Sequence, residues 1–290
     1  MGAKGGNNHT IFAGNGEYII EDRPVGLDGY APTVYWDSTS STVTLNVASN
    51  MFGTAGSTMR VHNHIRTAVD FAFHPDTMMR LHIPTASLDL MGTKQRFNLF
   101  TVWNEPSGNS SRNPTYKATV KGEEGSSFAE AGGGTYTNAM YTGGASYVYE
   151  GAGVRRFTWP SSSTGSCSLA GSGTLEFLAP GAWPGGAWTG RTSRVVLEPT
   201  ATGVIRFRNA AALGRFTDVE VSATDGTKGT INIPDNIELT ASFLRVNGKK
   251  QRLGTYGSST SGAAVKLGCF TGAGRINFIG DGKGTCVILR

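Results

Sequence analysis

Apolar and polar positions alternate along this chain in short runs, each bounded by Gly, Asn, Asp, Ser or Pro. A period of two is the pattern of a strand with one face on a core and the other on solvent. Strands are expected at 42–47, 68–73, 79–83, 87–90, 174–178, 194–197, 203–207, 218–221, 230–233, 243–246, 275–279 and 286–289. No stretch of helical length carries apolar residues at i, i+3, i+4 and i+7 without Gly, Pro or β-branched runs interrupting it. The expected fold class is all-β.

Two-residue hairpin signals such as Asn-Gly between alternating runs are scarce, which argues against a sandwich of hairpins. Single strands instead share one grammar: Gly173-Thr174-Leu175-Glu176-Phe177, Gly203-Val204-Ile205-Arg206-Phe207, Gly229-Thr230-Ile231-Asn232-Ile233 and Gly274-Arg275-Ile276-Asn277-Phe278. The opening glycines lie 30, 26 and 45 residues apart, and the last interval fits two coils with 243–246 between them. This quasi-periodicity predicts a parallel β-helix, a β-solenoid of single-stranded stacked coils. A lone coil cannot bury its apolar positions, so Leu175, Phe177, Ile205, Phe207, Ile231, Ile233, Ile276 and Phe278 are expected to stack in layers. Glu176, Arg206, Asn232 and Asn277 are then expected to face solvent. Residues 1–85, richer in Met, His and aromatic residues and less regularly spaced, read as an irregular β N-terminal part or cap. Residues 86–280 read as the solenoid and 281–290 as a terminal strand or tail. The Gly-, Ser-, Asn- and Glu-rich stretch 106–137 reads as an insertion or hinge, with a strand at 116–121.

The closing motifs carry a family resemblance. Val246-Asn247-Gly248, then Gly254-Thr255-Tyr256-Gly257, a Ser- and Gly-rich loop at 258–262, and Phe270-Thr271-Gly272-Ala273-Gly274 before a last strand follow one another in order. Earlier, Ser87-Leu88-Asp89-Leu90-Met91-Gly92-Thr93-Lys94-Gln95 is similar to a Leu-Asp-Leu-Asn-Gly-x-x-Gln coil, with Met91 where Asn is usual. Over about residues 85 to 280 the chain resembles the C-terminal part of bacterial autotransporter-associated β-strand repeat proteins. The resemblance implies a right-handed β-helix and a secreted, extracellular or bacterial cell-surface protein without catalytic activity. No outer-membrane β-barrel follows in this sequence, and 280–290 extends past the usual last strand.

Composition agrees with a loop-rich β protein: 41 glycines, 11 prolines and 16% charged residues in 290, with 38% hydrophobic residues to form a core. No apolar run approaches the roughly 20 residues that span a bilayer, so no membrane insertion is expected. Residues 1–8 hold one Lys and no apolar stretch, and do not read as a signal peptide. The net charge of +5 is spread without a basic stripe, so nucleic acid is not an expected partner. Three cysteines leave at least one thiol unpaired; Cys269 and Cys286, 17 apart, are a candidate disulfide if their Cα atoms lie within about 7 Å.

His62 and His64 stand at i and i+2, so on a strand both point to one face; they are a weak metal candidate beside the alternative of exposed histidines. Asn104-Glu105-Pro106 after Trp103 matches the acid/base tripeptide of retaining glycosidases, but the barrel context and the second carboxylate are lacking, and a turn explains it. Glu176, Glu198, Glu220 and Glu238 recur at 22, 22 and 18 residues, with Arg194, Arg206 and Arg208 nearby; they line a ligand groove or form a solvated charge ladder. Trp183 and Trp188 are sugar-stacking or partner-contact candidates if exposed, and core plugs if not. No cofactor is expected, since no nucleophile motif, Walker loop or dinucleotide fingerprint is present.

The first functional expectation is a non-catalytic structural or adhesive surface protein contacting a surface glycan or protein. A self-assembling filament or sheath subunit is the second, joined through the edge of Thr285, Cys286, Val287, Ile288 and Leu289. The third is a polysaccharide-binding or polysaccharide-processing β-helix.

Overall fold

The alternating runs fold as short strands, and among the described residues there is no helix. The computed structural model describes residues 9–12, 16–21, 33–36, 42–47, 58–61, 64–81, 86–102, 117–130, 146–158, 165–183, 193–222 and 229–280. The strands form sheets of eleven, seven, five and four members.

In the eleven-stranded sheet, the long ladder, Glu17–Ile20, Thr42–Leu45, His64–Thr67, Ser87–Asp89, Lys117–Gly122, Ser146–Gly151, Ser166–Leu169, Ser193–Leu197, Thr217–Val221 and Leu244–Val246 lie in chain order, each parallel to the next. The seven-stranded sheet, the short ladder, stacks Lys94–Phe97, Ser127–Glu130, Val154–Phe157, Thr174–Phe177, Val204–Phe207, Thr230–Asn232 and Phe270–Thr271 in the same way. From Ser87–Asp89 to Thr217–Val221 the chain alternates between the two ladders and returns to each one rung further on. One return on the long ladder takes between 20 residues (Tyr147 to Cys167) and 32 (Ser87 to Thr119). Loops absorb this variation, because loop length costs little while strand register is fixed by the buried face. The five-stranded sheet takes all its strands, also parallel, from residues 9–102. The long ladder runs unbroken through position 85.

Stacking is what buries the apolar face. Along the long ladder Tyr18, Val43, Ile65, Leu88, Val120, Tyr149, Leu169, Leu197, Val221 and Val246 occupy successive registered positions. Those from Val43 to Val221 are fully buried. On the short ladder Leu175, Ile205, Ile231 and Phe270 form one buried column, and Phe157, Phe177 and Phe207 another. Their rings stack at 4.3 Å and 4.9 Å between centroids. Burial of each such side chain is worth roughly 1.5–3 kcal/mol, a gain that exists only once neighbouring rungs are present.

The turn from long to short ladder brings backbones too close for side chains. A Cβ on Gly203 would collide with the Gly173 carbonyl, and one on Gly151, which has φ 79°, with the Gly122 carbonyl. Pairing continues through this corner: Gly173 N donates to Gly151 O at 2.8 Å and Gly203 N to Gly171 O at 3.0 Å.

Three local expectations are revised. Residues 68–73 alternate but do not extend: Phe71 has φ 54°, Asp70 accepts the Lys94 amide at 2.8 Å, and Gln95 accepts the Ala72 amide at 3.1 Å. Side-chain acceptors there replace ladder bonds. The fourth glycine-led run, Arg275–Phe278, does not join the short ladder; it pairs in parallel with Glu238–Ala241 and antiparallel with Gly254–Gly257 in the four-stranded sheet. Val246-Asn247-Gly248-Lys249 makes a true hairpin, with Asn247 at φ 51° and Gly248 at φ 75°, which turns Lys249–Lys250 antiparallel onto the last long-ladder strand.

Candidate functional site

Within Val154–Phe157, Thr174–Phe177 and Val204–Phe207 the second and fourth residues point inward and the third outward. Register therefore places Arg156, Glu176 and Arg206 on adjacent rungs of one outward column. Arg208 joins them from just past its strand, where its amide is held by the Phe177 carbonyl at 2.8 Å. The Glu176 carboxylate lies 3.4 Å from Arg156, 3.8 Å from Arg206 and 3.4 Å from Arg208. It is 14% exposed, whereas the three guanidinium groups are 42%, 35% and 45% exposed. One carboxylate has about four acceptor positions and three guanidinium groups carry about fifteen N–H donors, so most donors face solvent. On the other side of Arg156 the column continues through Ala129 to the exposed Arg96, and beyond Arg206 to Asn232, which donates to Thr271 Oγ1 at 3.1 Å.

The long ladder is balanced by contrast. One outward column reads Arg66, Asp89, Lys121, Glu150, alternating in sign rung by rung, and Arg66 also pairs with Glu17 at 3.1 Å. Further along, Arg194 meets Glu220 at 3.1 Å and Arg245 meets the fully buried Asp218 at 2.6 Å. These carboxylates and guanidinium groups match in number. The uncompensated charge sits on the short ladder.

No protein-family model, characterised protein or solved structure matches this chain.

The four recurring glutamates do not share a face. Glu176 lies on the short ladder, Glu198 just past a long-ladder strand, Glu220 on the long ladder and Glu238 in the four-stranded sheet, where it pairs with Arg275 at 2.6 Å. A 22-residue step is close to one circuit, but the chain changes ladder within each circuit, so equal spacing does not mean equal position. Trp183 is 3% exposed: its ring packs edge-on against Phe157 at 5.7 Å and its backbone bridges to Leu213, so it fills core and offers no face to a sugar. His64 Nδ1 is bonded to Ser87 Oγ at 2.7 Å, and among the described residues no cluster of three His, Cys, Asp or Glu side chains forms a metal site. Cys269 carries a free thiol whose pKa is raised by burial. Its candidate partner Cys286 lies outside the described residues, as do His62, His82, Trp103 to Pro106, Trp188, and the edge of Thr285, Val287, Ile288 and Leu289.

Arg156 was not singled out by the sequence reading, yet the signal was present. Gly153-Val154-Arg155-Arg156-Phe157 follows the same grammar as the glycine-led runs at Gly173 and Gly203. The apolar positions that would have marked it are disguised because Arg155 takes an inward place. It is 1% exposed, with its guanidinium 4.3 Å from the Phe128 ring centroid and 4.2 Å from that of Phe157. Aromatic faces accept a guanidinium where an ammonium would be costlier to desolvate.

Proposed function

We propose that this chain is a non-catalytic structural and adhesive protein of the extracellular or bacterial cell surface, built as a right-handed parallel β-solenoid of single-stranded coils. What supports the reading is the long ladder, whose parallel strands follow chain order and bury one continuous column. Such stacking makes a stiff scaffold with a regular outer surface, and the similarity of its motifs to autotransporter-associated repeats agrees with a display role. The surface chemistry also favours contact over turnover. Acid/base cleavage of a glycosidic bond uses two carboxylates about 5–10 Å apart. In the outward column that holds Glu176, the neighbouring described positions are Arg96, Ala129, Arg156, Arg206, Asn232 and Thr271. A carboxylate ringed by three guanidinium groups is held as an ion-pair acceptor, which suits fixing those groups in place.

The test is incubation of the purified chain with a panel of acidic and neutral polysaccharides, with assay for new reducing ends and for unsaturated products. No product is expected. Product formation that Glu176→Gln abolishes would replace this reading with a polysaccharide-processing enzyme.

A further inference from the structure

We propose that the outward face of the short ladder is a binding site for a linear anionic polysaccharide, one carrying carboxylate or sulfate groups, with Arg156, Arg206 and Arg208 as contact residues and Glu176 as the group that positions them. The inference rests on the scaffold reading above and adds the ligand class and the site. Three observations carry it. The cluster holds three guanidinium groups to one carboxylate, and Arg96 extends the excess charge along the same column. The long ladder, made by the same chain with the same alternation, balances its charges. The excess is therefore a property of this face and not of a generally basic surface. The guanidinium groups are also preorganised, since Glu176, 14% exposed, anchors all three while a third or more of each stays open to solvent. Fixing a planar fork before the ligand arrives lowers the ordering cost of binding, and such a fork matches carboxylate and sulfate oxygens two at a time.

Geometry favours a long polymer over a small anion. Adjacent rungs lie about 4.8 Å apart, so Arg96, Arg156 and Arg206 recur along one straight line at intervals of about 10 Å. Flanking outward positions on this ladder are Ser127, Val154, Thr174, Val204 and Thr230, small side chains that leave the line unobstructed. They supply no aromatic platform, and single-stranded nucleic acids depend on such platforms for stacking. Charge without stacking surface suits a sugar polymer.

The test measures binding of the full chain to polygalacturonate, dextran sulfate, uncharged dextran and single-stranded oligothymidylate by biolayer interferometry at about 50 mM salt, where charge contacts are strong. Binding to polygalacturonate, dextran sulfate or both is expected, the two arms separating carboxylate from sulfate preference, with uncharged dextran inert. Arg206→Gln and Arg208→Gln should each weaken it about tenfold. Both side chains are on the surface, so the melting temperature should stay unchanged, and raising salt to about 200 mM should weaken binding severalfold. Three results would overturn the proposal: no binding to either acidic polymer, binding that ignores both substitutions, or tighter binding to oligothymidylate than to both polysaccharides. New reducing ends in the same mixtures would contradict the scaffold reading instead, leaving the location of the site to the two variants.

Discussion

Met91 sits at φ 42°, in the left-handed region that L side chains other than Asn and Asp seldom adopt, and its side chain is 40% exposed. It gives no buried contact to offset the strain, and Asp89 Oδ1 already accepts its amide at 3.1 Å. Met91→Asn should therefore raise stability by about 0.5–1 kcal/mol, read from the urea midpoint. Tyr149 makes the opposite kind of point. Its hydroxyl donates to the Ala152 carbonyl at 3.0 Å, and burial pushes its pKa above the ordinary 10.0, with the Arg155 charge opposing. Below pH 10 the folded and unfolded states both keep this proton, so it has no effect on the pH dependence of stability. Above that value the unfolded chain releases the proton first, and stability should fall by up to about 1.4 kcal/mol per pH unit on account of this group. Tyr149→Phe should flatten the decline between about pH 10 and 11 in urea unfolding; parallel curves for the two proteins would show that the hydroxyl ionises freely in the fold.

The strand elements were the most legible part of the sequence, because a buried face imposes period two directly. Expected strands at 42–47, 87–90, 194–197 and 218–221 come out as Thr42–Leu45, Ser87–Asp89, Ser193–Leu197 and Thr217–Val221, and the strand expected at 116–121 as Lys117–Gly122. Alternation misled at 68–73, where Asp70 and Gln95 satisfy amides that a ladder would otherwise bond. The glycine-led grammar located the short-ladder strands at 174, 204 and 230, but it could not separate them from Arg275–Phe278, whose partners are chosen by contacts far along the chain. The glycine itself has a physical role at position 203. A methyl group there meets the Gly173 carbonyl, so Gly203→Ala should cost about 2 kcal/mol by moving two stacked turns apart, measured as a shift of the denaturant midpoint. An unchanged midpoint would mean that the corner is looser than the contact implies.

Over the whole molecule, the sequence held the residues of the charged face but not their grouping. Glu176 and Arg206 were both expected at the surface, and they are 3.8 Å apart; Arg156 and Arg208 complete the cluster from 20 residues before Glu176 and 32 after it. Only register makes them neighbours, and circuits of variable length hide register from any fixed period. The equal spacing of the four glutamates had no such meaning, since each circuit crosses from one ladder to the other. Parallel, in-register stacking of successive circuits is thus the basis of both the core and the charged face. It is tested most directly by oxidative cross-linking of paired cysteines on the outward side of the short ladder. Thr174 and Val204 are registered neighbours, about 4.8 Å apart, inside the roughly 4.4–6.8 Å that a disulfide spans. Thr174 and Thr230 are two rungs apart, about 10 Å, and beyond its reach. In-register stacking requires Thr174→Cys with Val204→Cys to oxidise to a linked peptide pair, seen by mass spectrometry of the non-reduced digest, while Thr174→Cys with Thr230→Cys stays reduced. A link in the second protein but not in the first would contradict the stacking and, with it, the charged face.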